Sequence, residues 1–91
     1  MKITVTKPNR DEMAKLKDVF FWPIWEKEVS EFDWFYDSTE ECYLLEGNVV
    51  VKTQDGDEVE FGKGDFVTFP KGMSCRWKIK HPVRKHFSFK E

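Results

Sequence analysis

The strongest constraint on this chain is an apolar–polar alternation of period two, broken by a turn signal every few residues. That rhythm predicts strands over Ile24–Val29, Phe32–Asp37, Glu41–Glu46, Val49–Thr53, Glu58–Phe61, Asp65–Phe69, Cys75–Ile79 and Val83–Phe89. The expected breaks are Ser30-Glu31, Gly47-Asn48, Asp55-Gly56, Gly62-Lys63-Gly64, Pro70-Lys71-Gly72 and His81-Pro82. Asp-Gly between two β-rich runs is the firmest hairpin signal, because both residues tolerate the positive φ of a tight turn. Ahead of these lies a short alternating segment, Lys2–Thr6. Pro8 and Asn9 then introduce Asp11–Lys17, where Met13, Leu16 and Phe20 fall at helical spacing. Many short strands at this spacing, with at most one short N-terminal helix, define an all-β fold: a sandwich, jelly roll or small antiparallel barrel.

At 91 residues the chain should form one domain, near the lower limit of what a hydrophobic core can hold together. Nine Phe, four Trp and two Tyr offset that limit. Each large side chain contributes on the order of 1.5–3 kcal/mol when fully buried. The formal net charge is only −2, so no basic surplus exists to neutralise nucleic-acid phosphates. No apolar run approaches a membrane span, and the N-terminus is charged where a leader would be apolar, so a cytoplasmic location is expected. Cys42 and Cys75 are then expected as reduced thiols, at a spacing that fits no zinc pattern. A surface rich in Lys and Glu, with few Asn and Gln, fits a heat-adapted protein.

Alternation also assigns faces. In Phe32–Asp37 the set Asp33, Phe35, Asp37 carries the charge and should meet water, which turns Trp34 and Tyr36 inward. In Cys75–Ile79, Cys75 and Trp77 point inward opposite Arg76 and Lys78. Lys85 shares the parity of Val83, Phe87 and Phe89. A lysine on an apolar face requires an acidic partner or a bend, unless its stem snorkels to the rim. His81 and His86 read as solvated surface residues.

Two stretches carry a recognisable spacing. Five residues separate Gly64 from Pro70, one separates Pro70 from Gly72, and two separate Gly72 from Cys75. Upstream, Trp34-Phe35-Tyr36 precedes Glu40 by three residues, and six residues separate Glu40 from Gly47. This pattern resembles the paired motifs of the cupins, in which His-x-His precedes the Glu of the first motif and a His closes the second. The wording of Glu41–Gly47 and Phe69–Trp77, with a later Val83-Arg84-Lys85, is similar to the small cupins grouped with ureidoglycine aminohydrolase. The resemblance implies a cupin barrel, or double-stranded β-helix, with one central pocket. Its three histidine positions are held here by Trp34, Tyr36 and Cys75, and only Glu40 keeps a ligand residue.

The candidate catalytic residues are therefore Glu40 as acid or base, Lys85 as anion or carbonyl partner, and Cys75. Trp34, Tyr36, Cys42 and Trp77 are candidates for the pocket lining. Each has a plainer reading: Trp34 and Trp77 as core, Cys42 and Cys75 as inert buried thiols, Tyr36 as an inward tyrosine with a local partner. The expected function is binding of a small metabolite bearing a carboxylate, amide or ureido-like group, without a tightly bound metal. One alternative is a metal-dependent enzyme with ligands around Glu40 and Cys75. Another is a filled barrel acting as a homodimeric or partner-binding module, with Lys2–Thr6 as an edge strand for pairing. If the Glu40–Lys85 pair serves a ligand, Lys85→Met should weaken binding while leaving or raising the melting temperature.

Overall fold

Two long antiparallel strands organise the molecule. The computed structural model describes residues 2–90, the side chain of Lys17 apart. In chain order its elements are β1 (Thr4–Thr6), α1 (Arg10–Lys15), a 3₁₀ segment (Lys17–Phe21), β2 (Ile24–Lys27), β3 (Ser30–Phe35), β4 (Thr39–Thr53), β5 (Glu58–Gly62), β6 (Phe66–Phe69) and β7 (Ser74–Lys90). β4 and β7 pair from Thr39↔Lys90 to Thr53↔Cys75. β6 and β5 lie along successive halves of β4, and β2 and β3 along successive halves of β7. β1 pairs with β6. Each long strand thus changes neighbours midway, and the ladder curls into a small antiparallel barrel.

The expected breaks at Gly47-Asn48 and His81-Pro82 are bends within continuous strands. Three register shifts occur between Leu44 and Val49, opposite the Pro82 region. Bulges and turns draw on the same residues, since Gly supplies positive φ and Pro removes a ladder donor. The bulges have a consequence for side-chain direction. Glu40, Cys42 and Leu44 are buried before them, Val49, Val51 and Thr53 after them, so the inward parity of β4 switches from even to odd. Ser30-Glu31 is likewise inside β3 and makes no turn. The Asp55-Gly56 hairpin forms, closed by Gly56 N–H to the Thr53 carbonyl at 2.9 Å.

The helix starts one residue before the expected Asp11 and ends two before Lys17. Asn9 caps it in a reciprocal box, its side chain accepting from Glu12 N–H while the Glu12 carboxylate accepts from Asn9 N–H. The 3₁₀ segment that follows buries Val19 and leads the chain across the outer face of β7. The core lies between the two halves of the ladder, around Leu44, Val49, Val51, Phe61, Val67, Phe69, Ile79 and Val83. Among the described residues no helix is long and apolar enough to cross a membrane.

Candidate functional site

At one end of the barrel the core opens into a cavity of about 140 Å³. Its walls are aromatic: Trp25 from β2, Phe32 and Trp34 from β3, Trp77, Phe87 and Phe89 from β7. Its polar groups are three, Tyr36, Glu40 and Lys85. Pairing on the sheet explains their convergence. Glu40 stands on β4 opposite Phe89, while Lys85 stands on β7 between Leu44 of β4 and Trp25 of β2. Tyr36 is fixed at the end of β3, where its backbone exchanges hydrogen bonds with Met73 and Gly72 and its ring stacks on Phe69 at 4.8 Å.

The three polar groups form one chain. Lys85 Nζ donates to Glu40 Oε2 at 2.7 Å, and the Tyr36 hydroxyl donates to Glu40 Oε1 at 2.8 Å. Lys85 is only 4% exposed and Glu40 3%, so the lysine stem does not snorkel. Its ammonium lies 4.9 Å from the Trp25 ring centroid and 4.7 Å from that of Trp77, within range of cation–π attraction. Burial, with the Glu40 charge beside it, raises the Tyr36 phenol far above its ordinary range, so it remains a hydrogen-bond donor. The indole N–H of Trp77 is buried without a partner of hydrogen-bonding geometry.

The other sequence candidates fall elsewhere. Trp34 is 48% exposed and stands at the cavity rim, not inside the barrel as alternation implied. It lies near the end of β3, where the sheet no longer covers its face. Cys42 is fully buried in the core and does not line the cavity. Burial pushes its thiol up to about 12, against the lowering influence of the Lys85 charge. Cys75 is buried beneath a shallow open depression beside Thr53 and Arg76. Burial pushes this thiol up to about 11, partly offset by the Trp77 indole N–H directed toward it. At neutral pH both cysteines are thiols and poor nucleophiles.

Trp25 lies outside the candidate set of the sequence, although Glu26 and Glu28 on the opposite parity signal that it turns inward. His86 departs from its expected solvation, being 6% exposed. It does point outward from the barrel, but the chain after α1 covers it: the Trp22 carbonyl lies 2.9 Å from Nδ1, and the Phe20 ring packs edge-on at 5.6 Å. His81 is exposed.

The donor set does not suit a metal ion. Among the described residues no three His, Cys, Asp or Glu side chains converge on one point. Both Glu40 oxygens are engaged, one by a phenol and the other by an ammonium that takes the place a bound cation would need. Trp34 offers no lone pair to a metal.

A curled antiparallel ladder with a pocket at one end, and motif positions on β3, β4 and β7, defines the cupin fold. The chain belongs to the EutQ-like cupin domain family, which matches residues 14–87. It is similar to a DUF861 family protein from Thermotoga maritima, at 54% identity and a TM-score of 0.94, over 98% of this chain and 100% of that one. A DUF861 family protein of unknown function from Pseudomonas syringae pv. tomato is 26% identical, with a TM-score of 0.67, over 74% of this chain and 29% of its own. A putative ethanolamine utilization protein Q from Salmonella typhimurium shares the fold at 24% identity and a TM-score of 0.66, over 72% of this chain. This chain covers 53% of the Salmonella protein's length. No curated protein matches the sequence.

Proposed function

We propose that this cupin binds a small, flat, polar metabolite in the mouth of its barrel, as a cytoplasmic protein. The observation that carries the reading is the buried Lys85–Glu40–Tyr36 chain at the base of an aromatic cavity. Burying an ion pair in an apolar barrel gains little stability over hydrophobic residues of similar volume, so stability alone is a weak reason to keep it. Two of the three ammonium hydrogens are left to face the indoles and the cavity. A ligand carbonyl oxygen can accept one of them. The ligand class is narrowed by charge: Glu40 already balances Lys85, so a neutral amide or ureido-like group fits better than a second carboxylate.

The reading is tested by recording Trp indole NMR resonances while titrating benzamide, benzoate and a ureido compound. Selective shifts with the neutral amides, lost in Lys85→Met, support it. Absence of any shift at millimolar ligand overturns it.

A second reading, self-association, is favoured by Phe20, Phe21 and Ile24, exposed along one stretch with Phe21 at 87%. Light scattering on the protein and on Phe21→Ser decides it: a dimer dissolved by the substitution supports the reading, and a monomer in both removes it.

A further inference from the structure

Lys85 has more around it than an ion pair needs. Its amine lines a cavity, touches one oxygen of a carboxylate whose other oxygen is held by a phenol, and lies near two indole rings. Each of these groups has a task in the chemistry of a carbonyl carbon. We infer that Lys85 captures a small aldehyde or ketone as a covalent iminium, with Glu40 moving the protons. The inference rests on the reading of the cavity as a ligand site.

In the first step a proton passes from Nζ to Glu40 Oε2 along their 2.7 Å hydrogen bond. An ion pair becomes a neutral amine and a neutral acid, an exchange that creates no charge and that a dry site tolerates better than water does. Tyr36, bonded to Oε1, positions the acid by leaving Oε2 to carry the proton on the side facing Lys85. The nitrogen lone pair then forms the C–N bond, and the carbonyl π electrons move to oxygen. Glu40 gives its proton to that oxygen and takes one from nitrogen, leaving a carbinolamine. The remaining nitrogen lone pair forms C=N as the hydroxyl departs with the proton held by Glu40, as water. One ammonium and one carbonyl compound become one iminium and one water, with nothing oxidised or reduced. The iminium keeps the charge of the ammonium it replaces. It therefore stays paired with Glu40 and within reach of the Trp25 and Trp77 faces, 4.9 and 4.7 Å from the resting nitrogen.

Cavity size limits the partner. A cavity of about 140 Å³ is close to the engineered apolar cavities of roughly 150 Å³ that accept benzene. An aromatic or short aliphatic aldehyde of about eight heavy atoms or fewer is the class that fits.

The test treats the full chain with benzaldehyde and sodium cyanoborohydride, which reduces the iminium to a stable amine, and maps the adduct by peptide mass. Lys85 should be labelled at least tenfold faster than any exposed lysine. Lys85→Arg should abolish that adduct, and Glu40→Gln should slow its formation by about 10²-fold, the lower range for acid–base assistance. Tyr36→Phe, which keeps the ring stack, should slow it less. Labelling spread over surface lysines with Lys85 unmodified overturns the inference. Shifted indole resonances without a Lys85 adduct leave non-covalent binding standing and the covalent step refuted. No shift and no adduct refute both.

Discussion

Lys85 and Glu40 meet 2.7 Å apart with almost no exposure to solvent, so neither can be altered without changing what the other requires. Lys85→Met leaves a buried carboxylate whose charge is uncompensated. The expected loss is about 3–5 kcal/mol at neutral pH, contrary to the unchanged or raised melting temperature implied by sequence reasoning. Glu40→Gln added to Lys85→Met removes the orphan charge and keeps an oxygen for the Tyr36 hydroxyl. Urea unfolding of the two single variants and the double should show the double more stable than Lys85→Met alone. Losses that simply add would mean the pair is not coupled.

Gly47 gives a second prediction. Its φ is 126°, and a Cβ placed there would stand 2.9 Å from Val83 Cγ2 and 3.0 Å from Val83 Cα. Backbone strain and overpacking each cost on the order of 1–3 kcal/mol. Gly56, with φ at 92° but nothing within 4 Å of the added carbon, isolates the first cost. Gly47→Ala should therefore destabilise more than Gly56→Ala in the same urea titration. Equal losses would show that the strand bend yields to the added methyl.

Alkaline pH should unfold this protein through its core thiols. Cys42 is held up to about 12 when folded, against an ordinary thiol value of 9.0, so above pH 9 the unfolded chain releases a proton that the folded chain keeps. Stability from this group is complete below that pH and declines as pH rises toward 12, by about 1.4 kcal/mol per pH unit. Cys75 adds to the slope up to about 11, and Tyr36 adds to it above the ordinary phenol value of 10.0. Unfolding free energies measured under reducing conditions from pH 8 to 11 should fall, and Cys42→Ala should flatten the fall. An unchanged slope in that variant would remove Cys42 from the account.

Much of the architecture is written locally. The parity of Cys75, Trp77 and Ile79 continues through Val83 and Lys85, and all five are buried. Likewise, a lysine on that face calls for an acid, and Glu40 is the one beside it. Three features escape local reading for identifiable reasons. Gly47-Asn48 and His81-Pro82 carry the same chemistry whether the chain turns back or bends onward, so β4 and β7 look like four strands. Trp34 obeys alternation, but parity gives a direction and not a depth, and its end of β3 opens at the rim. His86 is buried by residues some sixty positions away in sequence, such as Trp22, which no periodicity within β7 can reveal.

That last contact reaches further than the surface it covers. Lys85 and His86 are consecutive residues on opposite faces of one strand. The chain after α1 grips the outer face at three points: the Trp22 carbonyl at His86 Nδ1, the Phe20 ring against the imidazole, and the Pro23 carbonyl accepting from Phe87 N–H at 3.0 Å. Whatever fixes the Cα of His86 fixes the neighbouring Cα from which the Lys85 amine is suspended. The outer segment thus serves as a gauge, setting from the outer side of the wall how far one nitrogen stands into the chamber behind it.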